Sequence, residues 1–117
     1  MILIGGGTGS APILMAGRRW KGQVSRAYFG FSDEIAPDLK QEINLDLPSV
    51  RIVIDPPNRV GEIISVLSDD VSKEPELFLR GRIFLCGPTV MMDSVIRLLT
   101  RVGMPRRQIF MAREDIM

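Results

Sequence analysis

Residues 1–12 read MILIGGGTGSAP, and the fold follows from them. Residues 1–4 are an apolar run stopped by Gly5, the pattern of a short buried strand. Residues 5–9 form a glycine loop. Pro12 then suits the first turn of a helix, where its missing N–H costs nothing. Strand, glycine loop and helix in twelve residues open a βαβ unit. Four glycines in five residues also fit a plain tight turn.

The same alternation continues outward. Residues 24–29 predict a second strand and Ser32 a helix cap, with Asp33 and Glu34 favourable beside that helix's positive end. Residues 50–54 read VRIVI, a β-branched strand, and DPPN at 55–58 forces a loop. Val60, Ile63, Ile64 and Leu67 recur at helical spacing. Residues 69–80 read as polar and irregular. Residues 82–86 read RIFLC, a central strand. Residues 89–102 carry the clearest helical stripe, through Met91, Val95, Leu98 and Val102, stopped by Gly103 and Pro105. A last short strand is expected at 108–111. Five strands alternating with about four helices predict an α/β fold: a five-stranded parallel doubly wound (Rossmann-like) sheet, order 3-2-1-4-5, helices on both faces.

Composition narrows the chemistry. The 117 residues make one domain, 45% hydrophobic and 25% charged, which is ordinary for a globular chain. There is no histidine, so there is no histidine base, Ser-His-Asp triad or His-ligated metal within this chain. One cysteine permits no internal disulfide and no four-cysteine cluster, and fits a reducing compartment; the expected location is cytoplasmic. A net charge of +1 argues against bulk nucleic-acid binding. No apolar run approaches the ~20 residues of a membrane span.

In a sheet of this kind, ligands bind beyond the carboxyl ends of the strands, at the switch point between strands one and four. Both unusual segments, GGGTGSAP at 5–12 and CGPT at 86–89, fall there. The glycines let backbone approach a ligand, and the helix that follows offers unpaired N–H groups to a pyrophosphate. The loop is not a P-loop, because its lysine is missing. Cys86 reads either as a small core residue or as a thiol that Gly87 and Pro88 expose at the crevice; without a base, it is not expected to be a nucleophile. Asp55, at the end of strand three, suits a ribose 2′-hydroxyl, whereas Arg59 suits a 2′-phosphate. Asp33 is a second acidic candidate. Met91 and Met92 border the crevice or fill the core.

ILIGGGTGSAP followed some 75 residues later by IFLCGPTVMM resembles the nicotinamide-binding domain of the ferredoxin–NADP reductase-like flavoprotein reductases. The resemblance covers essentially the whole chain. It implies that Gly5, Gly6, Gly7, Thr8 and Gly9 form the loop that holds the dinucleotide pyrophosphate, and that Pro12 is the cofactor site's proline that opens the helix. It implies that Cys86 lies beside the nicotinamide C4 as the catalytic position, and that Gly87, Pro88 and Met91 or Met92 shape the ring's site. Asp55 looks like the NAD type, with NADP(H) the alternative to NAD(H). The implied flavin, FAD or FMN, belongs to a partner, since the family's flavin-binding β-barrel and its Arg-x-Tyr-Ser/Thr contacts are not in these residues. An onward carrier such as an iron–sulfur protein is the implied electron acceptor. The tail RRQIFMAREDIM is similar to reductase subunits of anaerobic hydrogenases and sulfite reductases. Ser10 departs from the family, which has an apolar residue there. Met1 falls inside the first strand, so an excised domain or a separately encoded subunit is expected, with an apolar edge that favours self-association. A nucleotide sensor without turnover, or a scaffold that has lost its ligand, are the other readings.

Overall fold

The computed structural model of the chain describes residues 1–31, 37–47, 49–54 and 61–112. Five strands, β1 (Ile2–Gly6), β2 (Arg26–Phe31), β3 (Val50–Ile54), β4 (Ile83–Cys86) and β5 (Ile109–Ala112), form one sheet. All pairings are parallel and the order is β3-β2-β1-β4-β5, as the alternation predicts. The helices are α1 (Ser10–Arg19), α2 (Pro37–Asp46), α3 (Gly61–Lys73), α4 (Pro75–Leu79) and α5 (Thr89–Arg101).

Successive strand residues point to opposite faces, so each central strand feeds two cores. Ile2, Ile4, Tyr28, Ile83 and Leu85 pack with Leu67, Phe78, Val95 and Leu99 of α3, α4 and α5. Leu3, Ala27, Phe29 and Cys86 pack with Ile13, Ala16 and Ile43 of α1 and α2. Each fully buried large side chain contributes about 1.5–3 kcal/mol. The continuous apolar character of β1 is what a strand covered on both faces requires.

Three expectations change. First, residues 69–80 are not irregular. Val71 continues the apolar stripe of Ile63 and Leu67, so α3 runs on to Lys73. Its polar residues are satisfied in place: Lys73 Nζ donates to Asp69 Oδ2 at 3.0 Å, one turn away, and Asp70 turns inward. Pro75 then starts α4, which buries Phe78. Second, β1 reaches into the glycines as far as Gly6, and β2 lies two residues later than predicted. Third, β1 leaves no apolar edge. It pairs on both sides, and Ile2, Leu3 and Ile4 are wholly buried. The Ser32 cap, Asp33, Asp55, Arg59 and the tail beyond Ala112 lie outside the described residues.

Candidate functional site

The site is built where β1 and β4 end side by side. Gly5 pairs in register with Cys86, and both strands then turn into helices. The chain after β1 makes a 3₁₀ turn over Gly7–Gly9, which contains Thr8, and enters α1 at Ser10, with Pro12 in its first turn. The chain after β4 turns through Gly87 and Pro88 into α5 at Thr89. The switch point of the sheet therefore carries two helix N-termini facing one crevice.

Each glycine there has its own physical reason. Gly7 has φ +54°, a left-handed conformation that favours glycine, and it is solvent-exposed. Its nearest side neighbour is Pro88, 4.0 Å from where a Cβ would stand, so the space above it is open. Gly9 is needed for contact. A Cβ there would stand 2.5 Å from the carbonyl carbon and oxygen of Cys86 and 2.6 Å from Gly87 N. That contact seats the start of α1 directly on the end of β4. Gly6 and Gly87 make room for Met91: a Cβ on either would collide with its side chain. Met91 is thus a wedge between the two turns, and it belongs with Met92 to the core beneath α5.

The electrostatics follow from the helix ends. Neither α1 nor α5 has a side-chain cap on its first turn, and neither has an acidic residue there. The Ser10 N–H is taken by Gly7 O, so it is the dipoles of the two helices that favour negative charge at these ends, with no basic side chain in either first turn. An anion bridging the two ends is the natural occupant. Open backbone at Gly7 lets it approach closely.

Cys86 is not exposed at the crevice. It is 0% accessible, packed on the α1 side of the sheet with Leu3, Ile13 and Phe29. The alternation of β4 sends its side chain under α1, and Gly9 closes over its carbonyl. The turn at Gly87 and Pro88 exposes Pro88 and Thr89 instead. Asp55 and Arg59 lie outside the described residues, so the acid-versus-base comparison at the end of β3 is not drawn from this structure.

Two features escaped the reading of the sequence. Ser10 carries a buried hydroxyl with no hydrogen-bond partner. Asp70, buried under the sheet, accepts the hydroxyl of Tyr28 at 2.6 Å. Arg51 and Arg26 approach its two oxygens at 3.4 and 3.7 Å, and Arg26 also pairs with Glu74. Burial, and then the bond to Asp70, push the Tyr28 hydroxyl well above the ordinary tyrosine range. α3 ends toward the amino ends of the strands, so this cluster supports the fold from below and does not reach the crevice. Among the described residues, no group of His, Cys, Asp and Glu could hold a metal ion.

No protein-family profile matches the chain. It is 31% identical over 126 aligned positions to the reductase component of propane 2-monooxygenase from Rhodococcus jostii, across 94% of this chain and 34% of that protein. The ferredoxin reductase in carbazole 1,9a-dioxygenase has a similar structure, with a TM-score of 0.67 and 25% identity, over 94% of this chain and 36% of that one. The C-terminal domain of a hydrogenase from Pyrococcus furiosus shares the fold alone: TM-score 0.58 and 16% identity, over 97% of this chain and 88% of that domain. The chain spans about a third of the length of the first two proteins. Among the described residues, no helix is long and apolar enough to cross a membrane.

Proposed function

Because the chain is a homologue of these reductases, with the nicotinamide-binding-domain fold of the ferredoxin–NADP reductase-like family, we propose that it binds NADH and presents it to a flavin. The single observation that carries this reading is the pair of uncapped helix N-termini meeting over Gly7 and Gly9. That is a seat for a pyrophosphate with no need of a basic side chain. The nicotinamide supplies a hydride to FAD or FMN held by another domain or subunit, which passes electrons to an iron–sulfur protein or oxygenase partner. The chain's own residues bind and orient.

Gly5, Gly6, Gly7, Thr8 and Gly9 carry the main chain past the phosphates, and Pro12 fixes the first turn of α1. Gly87 and Pro88 leave the space beside β4 for the nicotinamide ring. Met91 holds the two turns at a fixed separation, with Met92 behind it. Cys86 acts from beneath: its buried side chain fixes the end of β4 against α1, and so sets the floor on which the ring rests. It is not a nucleophile. Asp55 is the residue we assign to selection of NAD(H) over NADP(H). The cytoplasm is the proposed location.

Titration calorimetry of this chain with NADH, and separately with NADPH, tests binding. One-site binding with NADH preferred supports the loop and Asp55 together, and preference for NADPH transfers selection to Arg59. Stopped-flow reduction of a flavin-bearing partner tests turnover. Cys86→Ala is expected to slow hydride transfer more than it weakens NADH binding. A chain that binds NADH but never reduces flavin is a sensor, and this proposal then fails.

A further inference from the structure

The net charge of +1 conceals an uneven distribution. Residues 1–31 and 79–112 hold ten basic residues and a single acidic one, Asp93, whereas residues 32–78 hold four basic and eleven acidic ones. The first group builds β1, β2, β4, β5, α1 and α5, and the second α2, β3 and α3. With β3 at one edge of the sheet and β5 at the other, positive charge gathers toward β5.

A row of rings crosses that region. Phe84 packs on the α1 side of the sheet, and Phe110 is its register partner on β5, so both stand on one face. Between ring centroids, Trp20 at the end of α1 lies 6.1 Å from Phe84, and Phe84 lies 6.2 Å from Phe110. Cations close both ends of the row. The Arg19 guanidinium stands 5.5 Å from the centre of the Trp20 ring. At the other end, Arg106 Nη1 donates to Ile109 O at 2.7 Å, which holds that cation beside β5. Lys21, Arg82 and Arg107, on the same segments, are exposed. Residues 10–25, 81–88 and 102–112, which carry all of these groups, contain no Asp or Glu. Phe110 is 45% exposed, and β5 pairs only with β4.

An aromatic centre rimmed by cations is the anatomy of a protein-docking surface, and the sign of the rim fixes the sign of what it meets. We propose that this face, Trp20, Phe84 and Phe110 with their basic rim, docks a second protein through an acidic patch that has an apolar side chain at its centre. A single-stranded nucleic acid needs open ring faces on which successive bases stack. Here Arg19 lies over Trp20 and Phe84 stands between its two neighbours, so the row offers one open ring, Phe110. A membrane surface is met by rings on the apolar face of a helix, and these lie on a sheet. Like charge opposes a second copy of this chain seated face to face. Phe84 and Phe110 are the second residues of their strands, and the crevice lies beyond the last, so a docked partner leaves the crevice open. Docking here does not depend on what the crevice binds.

The chain's only tryptophan lies in the row, so its fluorescence, excited where tyrosine does not absorb, reads this surface directly. The probe is a random glutamate–tyrosine copolymer, with polyglutamate and a lysine–tyrosine copolymer as counter-probes. The glutamate–tyrosine copolymer is expected to change Trp20 emission saturably, at least about ten-fold more tightly than polyglutamate, and the lysine–tyrosine copolymer to leave it unmoved. Lys21→Glu combined with Arg107→Glu, both at exposed positions, is expected to weaken the response at least about ten-fold, and Phe110→Ser at least about five-fold. The charge variant should unfold at the parent's temperature and bind NADH as the parent does, which separates docking from the crevice. An equal response to polyglutamate would leave the rings without a role and overturn the proposal. So would a Trp20 response confined to poly(U), which marks a nucleic acid, to phosphatidylglycerol vesicles, which marks a membrane, or to raised protein concentration alone, which marks a second copy. A chain that binds no NADH yet meets the copolymer expectations keeps the docking face and loses only the dinucleotide reading.

Discussion

Gly9→Ala isolates the contact that builds the crevice. The backbone at Gly9 has φ −68° and ψ −11°, which alanine adopts freely, so the substitution adds no conformational strain. The steric conflict remains. The new Cβ meets the Cys86 carbonyl at 2.5 Å, against 3.4 Å for the near limit of ordinary contact, a deficit of 3.4 − 2.5 = 0.9 Å. Both partners are main-chain atoms of a central strand end and its turn, so no side-chain rotation relieves it. Overpacking of this kind costs about 1–3 kcal/mol, and a backbone collision belongs at the upper end. Losing a glycine from the unfolded chain returns about 0.4–1 kcal/mol. Gly22→Ala provides the reference, because nothing lies within 4 Å of its Cβ and its φ is not positive. It carries the unfolded-state gain alone. Urea denaturation of both variants should separate them by about 3 kcal/mol, or about 2 M in midpoint for a slope near 1.5 kcal/mol/M. Gly9→Ala should also weaken NADH, since α1 must lift from β4 and carry its N-terminus away from that of α5. Midpoints within about 0.3 M of each other, with equal slopes, would refute the close seating of α1 on β4.

Other perturbations test the rest of the frame. Met91→Ala removes the wedge between Gly6 and Gly87 and should cost about 2–5 kcal/mol by thermal or urea unfolding, whereas Met91→Leu should cost under ~1.5 kcal/mol. Equal, small losses for both would show that the thioether fills no gap. Asp70→Ala strands the Tyr28 hydroxyl, but Arg51 is half exposed and keeps its water, so the loss should be about 2–3 kcal/mol, below the usual 3–5 for breaking a buried pair. The alkaline limb of stability belongs to Tyr28, the chain's only tyrosine. Its proton is held more tightly in the folded state, so the unfolded state releases its proton first as pH rises past the ordinary value of 10. Stability is thus intact below pH ~10 and falls above it, and Tyr28→Phe should flatten that fall in urea midpoints taken from pH 8 upward. An identical alkaline slope in the variant would assign the limb to other groups.

The order of the sheet was legible because the strongest signals in this chain are local. A glycine loop after an apolar strand, a β-branched run before DPPN, and a helical stripe bounded by Gly103 and Pro105 each mark one element. Short right-handed connections leave few ways to join them. What was hidden lies in contacts between elements far apart in sequence. Asp69 and Asp70 look like loop residues until Tyr28, some forty positions earlier, is found to give Asp70 an inward partner. Cys86 looks exposed because a Gly-Pro turn follows it, yet the face to which it points depends on strand phase, and that phase puts it under α1. A shift of one residue would have sent it to the other core.

The glycines show why the loop motif is ambiguous as a string and specific as a structure. Read alone, GGGTG offers flexible backbone, and a ligand and a tight turn account for it equally well. In the fold, Gly6 and Gly87 yield space to Met91, Gly9 yields it to Cys86 and Gly87, and Gly5 to Ile13 and Ser10. Only Gly7 combines a positive φ with open space above it. Most of the motif therefore brings two strand–helix turns together, and Gly7 is the one of its glycines that joins left-handed backbone to open space. Any joint pull of the two helix ends on an anion depends on that closeness, because helix-end effects fade beyond the terminal turn. A bulky residue at Gly7 should block binding with little change in packing, whereas one at Gly9 should damage packing first and binding as its consequence. Measured together, stability and NADH affinity should separate at Gly7 and move in step at Gly9. If the two positions behave alike, the division of labour inferred here is wrong.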